Sequence, residues 1–506
     1  MKEIIDGTLM READRHTIEE MGIPSLVLME RAALKTVETM EQENVCMEKM
    51  LVVCGSGNNG GDGFAVARLL LIKGKSVSAV LVGNPEHCTE ETRKQMEIFQ
   101  NYGGKVETEL PEQEFTAVID AVFGIGLSRE VSGKYAEILK KMNSYKAKKI
   151  AVDIPSGIHS TTGEVMGTAF QADLTVTFAY AKTGMILYPG ASYAGKVVVS
   201  DIGIYLGNEK KEQRYVTYER DDVKRLCPKR KEDANKGTYG KVLMITGSNG
   251  MSGAAYLSAK AAYQMGAGLV QIYTSLSNRV ILQTQLPEAI VSCYDENAEY
   301  PLKQLEEKLD WADLICIGCG IGMSETAGEL LKITLNYLGR HDKKCVVDAD
   351  GLNLLSRMER KEKEELLKAA EDSLIITPHV KEFSRILGKT TEETKKNRIL
   401  LAQQYVENYN IILTAKDART IVTCKGEIPY LNTTGNSAMA KAGSGDVLAG
   451  IITGCLALGM RRFEAASFGV FVHGLCGDEA ARKKGSHSVL AEDLIAAVPT
   501  VLGGSK

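Results

Sequence analysis

Apolar residues arrive in two rhythms along the first part of the chain. Short, nearly continuous runs such as "MLVVCG", "SVSAVLVG", "FTAVIDAVFG", "KKIAVDIPSG", "ADLTVTFAY" and "GKVVVSDIG" have the length and β-branched content of strands buried on both faces. Between them, "GFAVARLLLIKG" and "TRKQMEIFQNYG" carry apolar positions at helical spacing, with glycine at the stop. Alternating strands and helices predict a doubly wound, Rossmann-like parallel sheet. From about Leu206 to Lys236 the pattern gives way to a densely charged stretch, "LGNEKKEQRYVTYERDDVKRLCPKRKEDANKG". It reads as a solvated connector, which sets domains over 1–215 and 220–506. The rhythm then restarts with "YGKVLMITGS" and continues through "ADLICIGCGIG", "KKCVVDADGLN", "SLIITPH" and "NIILTAKDARTIV". The second half is therefore also α/β. No internal repeat joins the halves, so they read as two different domains.

A chain of 506 residues is too long for one ordinary core, in keeping with that division. Its hydrophobic share of 44% and charged share of 25% are those of a soluble globular protein. A formal charge of −4 gives no general attraction to nucleic acid or membranes. The N-terminal "MKEIIDGTLMREADRHTIEE" is charged and lacks the apolar segment of a signal peptide. No run reaches the roughly 18–20 apolar residues of a spanning helix. Eleven cysteines, an odd number scattered through strand-like segments, suit reduced thiols and a cytoplasmic location. Cys316 and Cys319 form a C-x-x-C, but no second pair or histidine cluster completes a metal site.

The stretch Gly55-Ser56-Gly57-Asn58-Asn59-Gly60 follows a strand and fits the G-x-G-x-x-G of dinucleotide-binding dehydrogenases. That fingerprint also needs an acid at the end of the second strand to hold a ribose. Here the second strand ends in Gly83-Asn84-Pro85, with Glu86 only beyond the proline. The loop also continues through Gly61, Asp62 and Gly63, richer in polar side chains than a phosphate cradle requires. Asp120 and Asp153 each end a strand, the latter followed by Ile154-Pro155-Ser156-Gly157. Ligands of open α/β sheets bind beyond such strand ends, so Asn58, Asp62, Asp120 and Asp153 could converge. A strand-end Asp that caps the next turn is the competing structural reading.

"GNNGGDGFAVAR", "VFGIGL" and "AVDIPSG", in this order, resemble the YjeF N-terminal domain, the NAD(P)H-hydrate epimerase family, over roughly residues 1–210. The resemblance implies substrate contacts from Asn58, Asn59, Gly60, Gly61 and Asp62. It implies further contacts from the loop Gly124, Ile125, Gly126, Leu127, Ser128, Arg129 and Glu130, and from Asp153. It also implies a potassium ion held by Asn59, Asp120 and Ser156, which their oxygen chemistry permits. Asp153 is the expected proton-transfer group.

In the second half, Gly443-Ser444-Gly445-Asp446 leads straight into an apolar helix, so backbone N–H groups there can hold an anion. Asp446 is placed to take a proton from a hydroxyl that attacks a terminal phosphate; the competing reading is a helix cap. Lys416, Asp417, Ala418, Arg419 and Thr420 follow a strand and could clamp a nucleotide, with His379 at the same sheet edge. Asp348, Asp350 and the loop Gly318 to Ser324 complete a polar rim. "GKVLMITGS", "VVDADGLN", "TPHVKEF" and "AGSGDVLAG" resemble the ribokinase-like superfamily over roughly residues 225–506, most closely its ADP-dependent NAD(P)H-hydrate dehydratases. The resemblance implies hydrate contacts from Ala254, Gly322, His379 and Asp446. Lys416 to Thr420 and Gly445 would bind the adenine nucleotide, with magnesium (Mg2+) and ADP as phosphoryl donor. Two positions depart from the family: Cys319 stands where a proline is usual, and Asp417 where a glycine follows the lysine.

The expected function is repair of hydrated NADH and NADPH, by epimerisation in a potassium-dependent (K+) first domain and dehydration in the second. The expected partners are small molecules and further copies of the chain as a homo-oligomer. The alternative is a small-molecule kinase of the vitamin or hydroxymethylpyrimidine type, fused to a non-catalytic binding or scaffold domain.

Overall fold

A computed structural model describes residues 1–207, 213–296, 298 and 302–503. The chain divides into two compact units, Glu3–Tyr215 and Val216–Lys506, the latter joined by Met1–Lys2. The charged stretch read as a connector is more structured than expected. Arg214–Thr217 is a strand and Asp222–Leu226 a short helix. Tyr215, Tyr218 and Val223 are buried, because apolar residues are spaced among the charges. Its portion 208–212 lies outside the described residues.

The N-terminal unit holds a seven-stranded parallel sheet. Its order is Val106–Glu107, Ser76–Leu81, Lys49–Cys54, Ala117–Ala121, Lys148–Val152, Leu174–Phe178 and Lys196–Ser200. The chain works outward from Lys49–Cys54 to one edge, then returns to its other side with Ala117–Ala121. That reversal opens a crevice at the carboxyl ends of these two strands. Two helices not anticipated from the sequence, Gly7–Glu19 and Ser25–Gln42, precede the sheet. Ile4 and Ile5 pair with Ala181 and Lys182.

In the C-terminal unit the parallel strands run Ile290–Tyr294, Leu269–Ser275, Lys241–Ile245, Leu314–Ile317, Lys344–Val347, Leu374–Ile376 and Ile412–Ala415. Ile421–Thr423 and Tyr430–Leu431 continue it antiparallel. Helix Ser444–Ala457 is nearly all buried, packed between helices Ser252–Met265 and Arg462–Lys484. Small residues permit this. A Cβ at Gly450 would lie 2.1 Å from the Ser258 carbonyl oxygen, and one at Gly454 2.4 Å from Met265 Cβ. Gly450→Ala should therefore destabilise this unit by about 1–3 kcal/mol, the usual cost of overpacking a core. Urea unfolding followed through this unit measures it; an unchanged midpoint would mean that the helices separate freely. Among the described residues no helix is long and apolar enough to cross a membrane, and all eleven cysteines are unpaired thiols.

Candidate active sites

Two of the three G-x-G-x-x-G glycines of the N-terminal unit, Gly55 and Gly60, serve packing, whereas a Cβ at Gly57 would meet nothing within 4 Å. A Cβ at Gly55 would stand 2.0 Å from the Val122 carbonyl oxygen, and one at Gly60 1.8 Å from that of Gly55. At Gly63 it would meet Ala121 Cβ at 2.6 Å. These close approaches seat helix Asn58–Ile72 on the strands at the crevice, with its first turn open to a cavity of about 660 Å3.

Asn58, Asn59, Asp62, the stretch 124–129 and Asp153 all line that cavity. Gly60 and Gly61 are buried beneath it, and Glu130 is outside the lining. Asp153 has φ +67°, a left-handed backbone that favours Gly, Asn and Asp. Its Oδ1 accepts from Lys182 Nζ at 2.5 Å, Thr177 Oγ1 at 3.2 Å and the Phe178 N–H at 3.3 Å. Asp62 has no hydrogen-bond or ion-pair partner among the described residues. Burial, and then the charges of Asp153 and Asp14, hold its carboxyl well above the usual carboxylate range. Asp14 is raised too, by burial first and next by Asp153.

Beside this group, Asp120 is fully buried. Its two oxygens accept from Ser156 Oγ at 2.6 Å and the Ser156 N–H at 2.7 Å. Burial pushes it up to about 6, against those hydrogen bonds. Asn59 is buried with its Nδ2 unpartnered. This oxygen-rich set, with a buried carboxylate that has no cationic side chain on it, fits a monovalent cation. Sequence reasoning missed Asp14 and Lys182. Asp14 sits in the charged N-terminal stretch, where no helix was anticipated, and Lys182 in "AYAKTG" carries no motif signal.

In the C-terminal unit, Asp446 lies in the first turn of its helix, while Gly443 at φ +87° is the cap. The capping reading of Asp446 therefore does not hold. Burial raises its carboxyl to about 6, assisted by the Asp348 charge and opposed by the neighbouring Cys319 thiol and by Lys416. Cys319, in place of the usual proline, thus sets a thiol close to Asp446. Lys416 Nζ is 2.6 Å from Asp348 Oδ1, and a Cβ at Gly445 would lie 3.6 Å from Lys416 Nζ and 3.7 Å from Asp348 Oδ2. Asp348 Oδ2 is buried and unpartnered. Lys416 therefore meets the site as half of an ion pair.

Gly322, at φ +76°, donates its N–H to Asp350 Oδ2 at 2.9 Å. Ala254 is buried in helix Ser252–Met265, against which a Cβ at Gly320 would press at 2.7 Å. His379 bridges to Lys416 in parallel register, so both sit at the same sheet edge. Its Nδ1 caps helix Val380–Leu387, accepting the N–H groups of Lys381 and Glu382. Burial lowers its pKa, and the Lys416 charge lowers it further. Glu382, unforeseen, is buried and pushed up to about 7, by burial first. Asp417, in place of the usual glycine, pairs with Arg398 at 2.6 Å. It also shares a turn with Thr420, whose Oγ1 donates to the Asp417 carbonyl at 3.1 Å; Ala418 is exposed in that turn.

The two units define a two-site α/β protein, with a polar crevice at the switch point of one sheet and an acid-bearing helix start beside the other. A family model described as YjeF-related protein N-terminus matches residues 25–184, and one described as NAD(P)H-hydrate dehydratase matches residues 242–500. The bifunctional NAD(P)H-hydrate repair enzyme Nnr of Moorella thermoacetica is 36% identical over 99% of this chain and 96% of its own. That of Escherichia coli is 30% identical over 97% of this chain and 92% of its own. A ribokinase-like superfamily protein of Enterococcus faecalis superposes with a TM-score of 0.51 at 27% identity, covering 59% of this chain and 98% of its own. This chain belongs to the bifunctional NAD(P)H-hydrate repair enzyme family.

Proposed function

We propose that the chain repairs hydrated NADH and NADPH: the N-terminal unit interconverts the two C6 epimers and the C-terminal unit dehydrates one of them. The observation that carries this reading is Asp153, a carboxylate that lines the cavity from the end of the neighbouring strand Lys148–Val152, in a crevice whose second strand ends without a ribose-binding acid. That combination suits acid–base chemistry on a nicotinamide ring better than hydride transfer. The full-length similarity to repair enzymes supports the same reading.

In the N-terminal unit, the ring nitrogen lone pair expels the C6 hydroxyl and leaves an iminium. Water then adds to either face, and Asp153 trades the proton, a role worth about 10²–10⁴-fold. Asn59, Asp120 and Ser156 would hold potassium, which supplies a fixed positive charge beside the crevice.

In the C-terminal unit, Asp446 takes the proton of the C6 hydroxyl as that oxygen attacks the β-phosphoryl of ADP. The new bond is O–P, the broken one joins the α- and β-phosphates, and AMP leaves. Phosphate then departs with the C6–O bond, C5 loses a proton, and the dihydronicotinamide is restored. Backbone N–H groups at the start of helix Ser444–Ala457 receive the phosphate. Asp348 Oδ2, buried and unpartnered, would hold magnesium, which offsets phosphate charge when bound. The turn 416–420 would hold the nucleotide.

Purified chain given hydrated NADH with ADP or ATP should regain dihydronicotinamide absorbance and release phosphate in equal amounts. A stable phosphorylated product with no return of absorbance would instead establish the kinase reading.

A further inference from the structure

Lys182 is fully buried, 0% exposed, which is rare for an ammonium and costly unless every proton is taken. Three acceptors take them: Asp153 Oδ1 at 2.5 Å, Thr177 Oγ1 at 2.8 Å and the Phe178 carbonyl at 3.0 Å. Thr177 Oγ1 and the Phe178 N–H also donate to that same Asp153 Oδ1. Every polar contact of the Asp153 carboxylate thus falls on one oxygen. Oδ2 has no partner among the described residues, and Asp153 lines the cavity.

Four carboxylates share that lining, Asp14, Asp62, Asp153 and the exposed Glu19. Arg11, Arg15 and Arg129 line it as well but are solvent-exposed, so Lys182 is the buried cation of the group. The chain fixes it from two sides. Ile5 pairs in register with Lys182, and a Cβ on Gly184 would lie 2.1 Å from the His159 carbonyl oxygen. The partnering strand and the helix that carries Asp14 both precede residue 25, where the family match begins.

We propose that Lys182 is a positioning residue for epimerisation, acting through Asp153: it anchors one carboxylate oxygen and leaves the other facing the C6 hydroxyl. The inference rests on the epimerase reading. Proton transfer to a leaving group and from an incoming water needs a carboxylate that does not rotate between the two events. Thr177 and Phe178 fix the direction of Oδ1, and the lysine charge keeps it there.

The test uses the full chain without nucleotide, following interconversion of the separated epimers of hydrated NADPH by chromatography. Lys182→Met should lower kcat about 100-fold, the scale of a displaced acid–base group, with KM changed less than about threefold. In an Asp153→Asn background the same substitution should cost less than about threefold, because the group it acts through is already gone. If Lys182→Met does not fold, Lys182→Gln, which keeps a donor for Oδ1 without the charge, carries the same comparison in both backgrounds. A kcat near wild type, or equal losses in the two backgrounds, overturns the inference. A wild-type chain that fails to interconvert the epimers removes the epimerase reading itself.

Discussion

Asp446→Asn should leave nucleotide binding intact and lower dehydration by about 10²–10⁴-fold, the worth of a general base. The anion-binding part of that site is backbone at the start of a buried helix, which the substitution does not touch. Gly443 caps the helix, so no cap is lost. What disappears is the group that can accept the hydroxyl proton. A variant keeping more than about a tenth of the wild-type rate would contradict the assignment. The wild-type pH profile gives a second check. Burial raises Asp446 to about 6, and only its ionised form is a base. Dehydration should therefore be slow below about pH 6, rise through it and level off above. A rate that falls on raising the pH through this range would mean that the carboxyl works as an acid.

Asp153→Asn should divide the two activities within one assay. Given both epimers and ADP, the variant should consume the dehydratable epimer rapidly and then stall. The remainder should disappear only as fast as it epimerises spontaneously, whereas wild type carries the mixture to completion. Asn tolerates the left-handed backbone at this position, so the fold should survive a change that removes only proton exchange. Added N-terminal unit, residues 3–215, should restore the fast phase. If the variant consumes everything quickly, Asp153 is not the epimerising group, and Asp62, whose carboxyl burial holds well above its usual range, takes its place.

The strands that frame both sites were legible because buried parallel strands are written as unbroken apolar runs; "MLVVCG" and "KKIAVD" leave little other choice. Asp120, Asp153 and Asp446 could be read for a related reason, since each ends such a run or opens a helix behind glycines. Their partners could not. The Lys182–Asp153 pair spans 29 positions, the Lys416–Asp348 pair 68, and nothing local in the sequence distinguishes a lysine destined for a buried pair from one bound for solvent. Asp14 was hidden in the charged N-terminal stretch. His379 was legible as a strand-end residue, but the use of its Nδ1 as a helix cap depends on backbone direction after Pro378. The charged stretch before Lys236 holds the division between the units, but its buried residues escaped notice because Tyr215, Tyr218 and Val223 are scattered among charges, which leaves no periodicity to detect.

The left-handed backbone at Asp153 also restricts how this position can drift. Under the proposed role of Asp153, a longer acid such as Glu would keep the chemistry but take on the strain of a positive φ, while Asn and Gly would accept the backbone and could not exchange the proton. Substitution there has no graded route: the residues that fit are inert, and the one that reacts does not fit well. Lineages of such a chain should hold aspartate at this point or lose epimerisation in a single step, keeping the other unit as a dehydratase that depends on spontaneous interconversion for half its substrate.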